Sequence, residues 1–382
     1  MNEDHITRRQ FVKNGSKAAA GMALVAAGCE QPQKGEPGKP CECHDKAKAE
    51  APPEPKPRNH HPKMHYRKLG KSGLMFSELS LGGHWKNREG HRYWATFADD
   101  KCPEDVKQNR TAVVSKSIEL GINYVDLTTP AEALAYGEAV KGRRDKMYIG
   151  YSDHILCMRN PAYRNVKAQM HEIEEGLRRL QSDYIDIFRP QARTDGKHTD
   201  EEIVPVVEAF EKAHKQGKVR FLGMSSHNGP FLQHVFETFP EFVMVIMPLT
   251  PKSKLKKVTI HGKAAPSFFQ AAKAADVGVV TIKPFGGGSL FRHGAKFPVT
   301  TEGDKGDHRS AALAIRKILS NPYLTAMVPG MTTVDEVERN VQTSYDKTPL
   351  TDKELAEVEA DGDFMYANLP PDYQWLKDFD WV

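Results

Sequence analysis

Several short apolar runs of this chain close on a residue able to do chemistry. "NYVD" ends on Asp126, "KMYIGYS" on Ser152, and "VRFLGMSS" on Ser225 and Ser226. Gln191 stands just beyond "YIDIF", and Lys283 closes "VVTIK". A carboxylate, three hydroxyls, an amide and an ammonium at the ends of parallel neighbouring strands would ring one small molecule. Such a ring can orient a carbonyl or hydroxyl oxygen, hold an anion or steer a proton. "SDH", Ser152 to His154, suggests nucleophilic hydrolysis, but a triad requires adjacency in space rather than along the chain. After Lys283 and Pro284 come Gly286, Gly287 and Gly288, which let a backbone approach a pyrophosphate. "PGMTTVDEVERN" opens a helix, and its first N–H groups form a natural phosphate site.

The elements that would carry these residues are readable as an alternation. Strand runs such as "INYVDL", "YIDIF", "VRFLGMSS", "FVMVIMPL" and "LTAMVPG" are separated by helical patterns such as "VKAQMHEIEEGLRRLQ" and "TVDEVERNVQTSY". About eight strand–helix units result, the count of an α/β fold of the (β/α)8 TIM barrel type. The strands are near-continuous apolar runs, as expected when both faces are covered. "YRKLGKSGLMF" offers two short strands around a glycine turn, enough for an N-terminal β-hairpin over the barrel bottom. Chemistry in such barrels sits at the strand C-termini, which directs attention to Gly83/His84, Asp126, Ser152, Gln191, Ser225/Ser226, Pro248, Lys283 and Gly330.

In order and at barrel spacing, "YRKLGKSGL", "ELGINYVDL", "GRRDKMYI", "RLQSDYIDIF", "GKVRFLGMSSH", "GVVTIKPFGGG" and "VPGMTTVDEVERNV" resemble the aldo-keto reductase family. The likeness runs from about Tyr66 to about Ala360. It implies NADP(H), or else NAD(H), lying extended across the barrel mouth, and carbonyl reduction by an Asp, Tyr, Lys and His. The set has a physical logic. A phenol titrates near 10, and a neighbouring ammonium lowers that value until the phenol becomes a usable acid.

Carried onto this chain, the family Asp falls on Asp126. Ala131 stands at the Tyr position, Ser152 at the Lys position and Gln191 at the His position. Asp126 is therefore expected to recruit another cation, with Lys283 the candidate. Tyr136 and Tyr151 are expected to be packed aromatics, Tyr151 pointing opposite to Ser152 by strand alternation. On the cofactor side the resemblance assigns Ser225, Ser226 and His227 to the carboxamide. It assigns Lys283 and Pro284 with Gly286 and Gly287 to the nicotinamide and pyrophosphate, and Asn340 to the adenine. Gly330 and Glu336 stand where basic residues would hold a 2′-phosphate, and Arg339 is the residue that could compensate.

The 382 residues are 39% hydrophobic and 27% charged, ordinary for a folded soluble protein. A formal net charge of +4 is too small to argue for a nucleic-acid partner. "TRRQFVK" sets a twin arginine before "AAAGMALVAAGC", an apolar stretch too short to span a bilayer. Residues 1–29 therefore resemble a twin-arginine export signal. "VAAGC" resembles the box at which bacterial lipoproteins are acylated, so a lipid on Cys29 is the expected membrane contact. Residues 30–63 read as a disordered Pro/Lys-rich spacer, and residues 64–382 as the barrel with a C-terminal tail.

"CECH", Cys41 to His44, fits neither a zinc knuckle nor haem attachment, and no metal site is assigned. Two more cysteines, Cys102 and Cys157, lie in the body, and "PKSKLKKVTIHGK" is a basic loop on the mouth side. The expectation is an exported NADP(H)-dependent oxidoreductase of the aldo-keto reductase type with a degenerate catalytic set, acting on a small carbonyl or alcohol. The competing expectation is a pseudoenzyme, a barrel at the cell surface that binds a nucleotide or small molecule.

Overall fold

The computed structural model describes residues 56–84, 101–253, 258–260, 263–265, 267–292 and 305–377. The twin-arginine segment, Cys29 and the Cys41–His44 string lie outside the described residues. Residues 56–63, read as the end of the spacer, already pack on the barrel. Arg58 pairs with Asp186 at 3.2 Å, and Asn59 Nδ2 donates to the carbonyl of Ile118 at 2.6 Å.

Eight parallel strands form the barrel, in the order β12-β11-β8-β7-β6-β5-β4-β3. They are β3 (Leu81–Gly82), β4 (Tyr124–Leu127), β5 (Tyr148–Tyr151), β6 (Ile185–Phe188), β7 (Val219–Ser225), β8 (Phe242–Pro248), β11 (Gly278–Ile282) and β12 (Leu324–Val328). Bridges Leu79↔Met327 and Gly82↔Gly330 bring β3 beside β12 and nearly close the ring. Between the strands run α1 (Glu104–Glu119), α2 (Pro130–Ala139), α3 (Val166–Leu180), α4 (Asp200–Lys215), α5 (Gly229–Thr238), α6 (Phe268–Ala274) and α7 (Lys305–Leu319). Helices α8 (Val334–Tyr345) and α9 (Asp352–Ala367) follow, and a 3-10 turn, Pro371–Leu376, ends the described chain. The basic loop after β8 contains a small antiparallel pair, β9 (Val258–Ile260) and β10 (Lys263–Ala265). No helix among the described residues is long and apolar enough to cross a membrane.

The sequence accounts for each layer. β8, "FVMVIMP", is buried at every position because its inward side chains fill the barrel and its outward ones meet helices. α3 starts on Asn165, whose side chain accepts from Ala168 N, and stops at Gln181 in the left-handed region. Gly176 on α3 leaves room for an aromatic ring: a Cβ there would come 2.2 Å from Tyr151 Cε1. Tyr151 is therefore turned outward onto the helix, and Ser152, next along, turns inward as alternation requires.

The hairpin, β1 (Tyr66–Lys68) against β2 (Met75–Ser77), seals the bottom. Phe76 stacks on Tyr124 with ring centroids 4.2 Å apart, and Tyr124 is the first residue of β4. Leu69 packs where a Cβ on Gly278, the first residue of β11, would be 2.4 Å away. Burying each such side chain contributes about 1.5–3 kcal/mol, so the plug is a stable floor under the mouth.

Candidate active site

Asp126 is the third residue of β4, on the inward face it shares with Tyr124. Its partner in β5 is Gly150, and the missing side chain there matters: a Cβ would fall 2.2 Å from the Tyr124 hydroxyl. The space admits a cation from one strand further on. Arg189, the residue after β6, donates from Nε to Asp126 Oδ1 at 2.8 Å and from Nη2 to Oδ2 at 2.9 Å. Nη2 also donates to the Leu127 carbonyl at 3.2 Å, and the Tyr124 O–H donates to Oδ1 at 2.9 Å.

The cation expected to be Lys283 is therefore Arg189. Lys283 turns away, with Nζ 4.8 Å from the centre of the Tyr373 ring. Its backbone lies at φ 61°, an unusual conformation for a non-glycine residue and more so before a proline. Burial pushes the Asp126 carboxyl above the usual carboxylate range, while Arg189 and Tyr124 act in the opposite direction. Burial, then the Asp126 charge, drives the Tyr124 phenol well above its ordinary value, the reverse of activation. Tyr124 is fully enclosed and contributes no acid to the mouth.

Beside this pair runs an arc of uncharged polar groups. Gln191 Nε2 donates to Ser152 Oγ at 3.0 Å. Gln191 also pairs through its backbone with Ser225, whose carbonyl accepts from Ala192 N at 2.8 Å. Ser152, Gln191 and Ser225 thus sit side by side at the ends of β5, β6 and β7, almost wholly buried. They can orient a carbonyl or amide oxygen, but none can take up a proton at ordinary pH. Asp153 is not part of a hydrolytic set: its carboxylate accepts from Arg179 at 3.0 Å and from Ile155 N at 2.8 Å. Ala131 is a buried residue of the first turn of α2. Tyr136 donates its O–H to the Gly82 carbonyl at 3.2 Å, and Arg110 Nη1 donates to its oxygen at 3.3 Å. Cys102 and Cys157 are free thiols, both pushed up to about 11 by burial.

The expected cofactor residues fall into two groups. Ser226 Oγ donates to the Arg193 carbonyl at 3.0 Å and accepts from Asn228 N at 3.2 Å, which ties it to the turn into α5. His227 stacks on Trp375 with centroids 3.9 Å apart, and burial, with Lys283 and Arg159, lowers its pKa to about 2. Gly286 and Gly287, at φ 53° and 71°, follow Lys283 and Pro284. A Cβ on Gly286 would be 2.8 Å from Met365 Sδ, and one on Gly287 would be 3.0 Å from the Tyr373 ring. The C-terminal turn therefore packs against this half of the mouth.

The second group lies on α8. Glu336 accepts from Thr332 N at 2.5 Å and from Thr333 N at 3.3 Å, while Thr333 Oγ1 accepts from Glu336 N at 3.1 Å. This capping box fills the helix N-terminus with the chain's own carboxylate. Arg339 pairs with Asp335, one turn back on the same helix. Gly330 is exposed after β12, and Asn340 is half-buried on α8.

Two mouth residues went unassigned from the sequence: Arg189, and Glu132 on α2. Glu132 is fully buried, with Oε1 2.5 Å from His84 Nδ1 and Oε2 accepting from Thr128 N at 2.6 Å. His84 had been marked only as a strand-end position.

Comparison with known proteins bears on the family and the fold. A sequence model of the aldo/keto reductase family matches residues 96–361. The chain is similar to L-galactose dehydrogenase of Arabidopsis thaliana, 25% identical over 319 residues, covering 78% of this chain and 94% of that one. It is similar to L-glyceraldehyde 3-phosphate reductase of Escherichia coli at 23% identity, with coverage of 78% and 94%. Among solved structures, the holo form of an aldo-keto reductase from Bacillus halodurans superposes with a TM-score of 0.55 at 22% identity, covering 78% of this chain and 96% of its own. That structural likeness concerns the fold.

Proposed function

Because the chain belongs to the aldo/keto reductase family, we propose that it is an oxidoreductase that interconverts a small carbonyl compound and its alcohol using a nicotinamide dinucleotide. The observation that carries this reading is the arc Ser152–Gln191–Ser225 set beside the Asp126–Arg189 pair at the ends of four consecutive strands. An enclosed, polar and charge-balanced mouth of this kind suits a neutral polar group better than an ion.

The residues present fit a dinucleotide at its nicotinamide end. Ser225 and Gln191 would hold a carboxamide or a substrate oxygen, and the left-handed turn at Gly286–Gly288 with Lys283 would hold a pyrophosphate. When bound, the nicotinamide supplies or accepts a hydride at carbon. The chain's part is to orient the oxygen, exclude water and move one proton. At the other end the fit changes. With Glu336 on the N-terminal amides of α8 and Arg339 held by Asp335, a 2′-phosphate would meet a carboxylate rather than a cation. We infer that NAD(H) is used in preference to the NADP(H) first expected.

Arg8–Arg9 and Cys29 support export by the twin-arginine route, with a lipid at Cys29 as the membrane tether. Since that route carries folded proteins, a dinucleotide bound in the cytoplasm would travel with the barrel. The experiment is to purify the exported protein and identify released nucleotide by mass spectrometry, then titrate NADH and NADPH by fluorescence. Absence of both retained and added dinucleotide binding would reject the reading.

A second reading is favoured by one observation: the phenol that touches Asp126 among the described residues, Tyr124, is sealed beneath it, and Arg189 holds the carboxylate on both oxygens. On that view the barrel binds a small molecule without transforming it. Dinucleotide binding with no reduction of any aldehyde in a broad panel would select it.

A further inference from the structure

His84 follows β3 at the mouth, and Glu132 lies in the first turn of α2. With the Thr128 N–H held on Oε2, the Glu132 carboxylate is an acceptor on both oxygens, so the imidazole hydrogen belongs on Nδ1. The Thr128 hydroxyl adds a contact to Oε2 at 3.3 Å. The Glu132 side chain is 0% exposed and that of His84 49%. A buried carboxylate behind a half-exposed imidazole fixes the ring's tautomer and orientation. It also directs proton exchange to Nε2.

The fold alone does not require this pairing. α2 is already capped by Thr129, whose hydroxyl accepts from Glu132 N at 3.2 Å. A carboxylate could satisfy the helix dipole from the surface without the cost of full burial. Nor is the dyad remote from the mouth. Gly82 pairs with Asp126 in the barrel register, and Gly83 N donates to the Asp126 carbonyl at 2.8 Å. Among the described residues, Asp126 on β4, held by Arg189 just after β6, feels the charge of Glu132, and His154 in the segment after β5, which also faces Asp153 and Arg159, feels both His84 and Glu132. From the β12 side the dyad meets Gly330, which carries no charge. Burial keeps His154 below the ordinary histidine range, so that ring does not duplicate the role.

We propose that His84, positioned by Glu132, exchanges the proton with the substrate oxygen, in the role of the family tyrosine at whose position this chain has Ala131. The inference rests on the oxidoreductase reading above. In reduction, a hydride from a dihydronicotinamide, the reductant, forms the new C–H bond and the carbonyl π pair moves to oxygen. The His84 Nε2–H bond breaks as that oxygen takes the proton. The products are an alcohol, an oxidised nicotinamide and a neutral imidazole, which water reprotonates. In oxidation, neutral Nε2 removes the alcohol proton. Glu132 is a positioning residue, whereas His84 would touch the substrate.

The test uses the full folded chain with NADH and two aldehydes, butanal and 4-nitrobenzaldehyde, together with imidazole ¹⁵N spectra assigned by comparison with His84→Gln. The expected result is that His84→Gln lowers kcat for reduction by about 10²–10⁴-fold with the NADH Kd unchanged. In the wild type the pH limb of kcat follows the His84 titration seen by NMR, and Glu132→Gln displaces both together and abolishes the Nδ1–H tautomer. Undiminished turnover in His84→Gln, or a wild-type ring protonated on Nε2 alone, overturns the dyad and leaves the oxidoreductase reading standing. Bound NADH with no turnover in the wild type overturns both.

Discussion

At Asp126, two carboxylate oxygens receive three side-chain donors, two from Arg189 and one from Tyr124. Removing one member of a buried ion pair strands the other, at a cost of about 3–5 kcal/mol. Arg189→Met should therefore lower unfolding stability by that amount in urea titration, and adding Asp126→Asn should restore part of it. A single substitution costing under about 1 kcal/mol would mean the pair is loosely held.

Glu172 makes a second residue-scale prediction. It is fully buried, accepts from Asp153 N at 2.8 Å, and burial raises its pKa well above the ordinary value. A raised folded pKa makes the native state hold the proton longer than the unfolded chain, so this group's contribution is intact at acid pH and is lost as pH rises through the folded pKa. Glu172→Gln should match the wild type near pH 4 and be the more stable protein at pH 8. A difference that does not grow with pH would overturn this account. Asp126 was visible in the sequence because a carboxylate closing an apolar strand is conspicuous. Arg189 was not, because it lies in "FRPQ" next to the position that drew attention, Gln191, and nothing local marks a cation aimed two strands away.

At the scale of elements, alternating strand and helix patterns made the barrel legible, since each strand is an apolar run fitted to two covered faces. The caps of two helices were not read from the sequence, which suggested open N–H groups at the start of α8 where the structure places Glu336. Thr129 with Glu132, and Thr333 with Glu336, have the same Thr-x-x-Glu spacing. One carboxylate stays on its helix end, and the other turns to His84; only the packing of α2 against β3 distinguishes them. On α8, Glu336→Gln keeps a hydrogen-bonding group but removes the charge. It should weaken the helix by about 0.3–1 kcal/mol and raise the NADPH-to-NADH affinity ratio by up to about 5-fold, read by fluorescence titration at fixed ionic strength. An unchanged ratio would mean the 2′-position does not approach this end. Replacing Gly176 on α3 tests the packing of the Tyr151 ring: Gly176→Ala should destabilise the fold in thermal melts, because the added methyl overlaps that ring.

At the scale of the molecule, the last described turn reaches back to the mouth, with Trp375 on His227 and Tyr373 over Lys283. The low His227 pKa of about 2 makes that contact sensitive to acid. A depressed folded pKa contributes stability above the unfolded value, near 6.5, and loses it as pH falls below that value. Each unit of acidification in this window weakens the neutral-ring state by up to ~1.4 kcal/mol. The C-terminal turn should therefore detach on going from pH 7 to pH 5, seen as a change in tryptophan fluorescence that His227→Asn abolishes. No acid-dependent change in the wild type would show that another contact holds the turn. The tail's return was not legible, because its aromatics carry no periodic pattern to say what they cover. The ring itself has an uneven circumference. β3 contributes two residues where its neighbours contribute four or more, and it meets β12 only through isolated bridges. His84 rides on this seam. Thermal loosening should begin there, so amide exchange at Leu81 and Gly82 would quicken first, at temperatures where circular dichroism still reports an intact barrel.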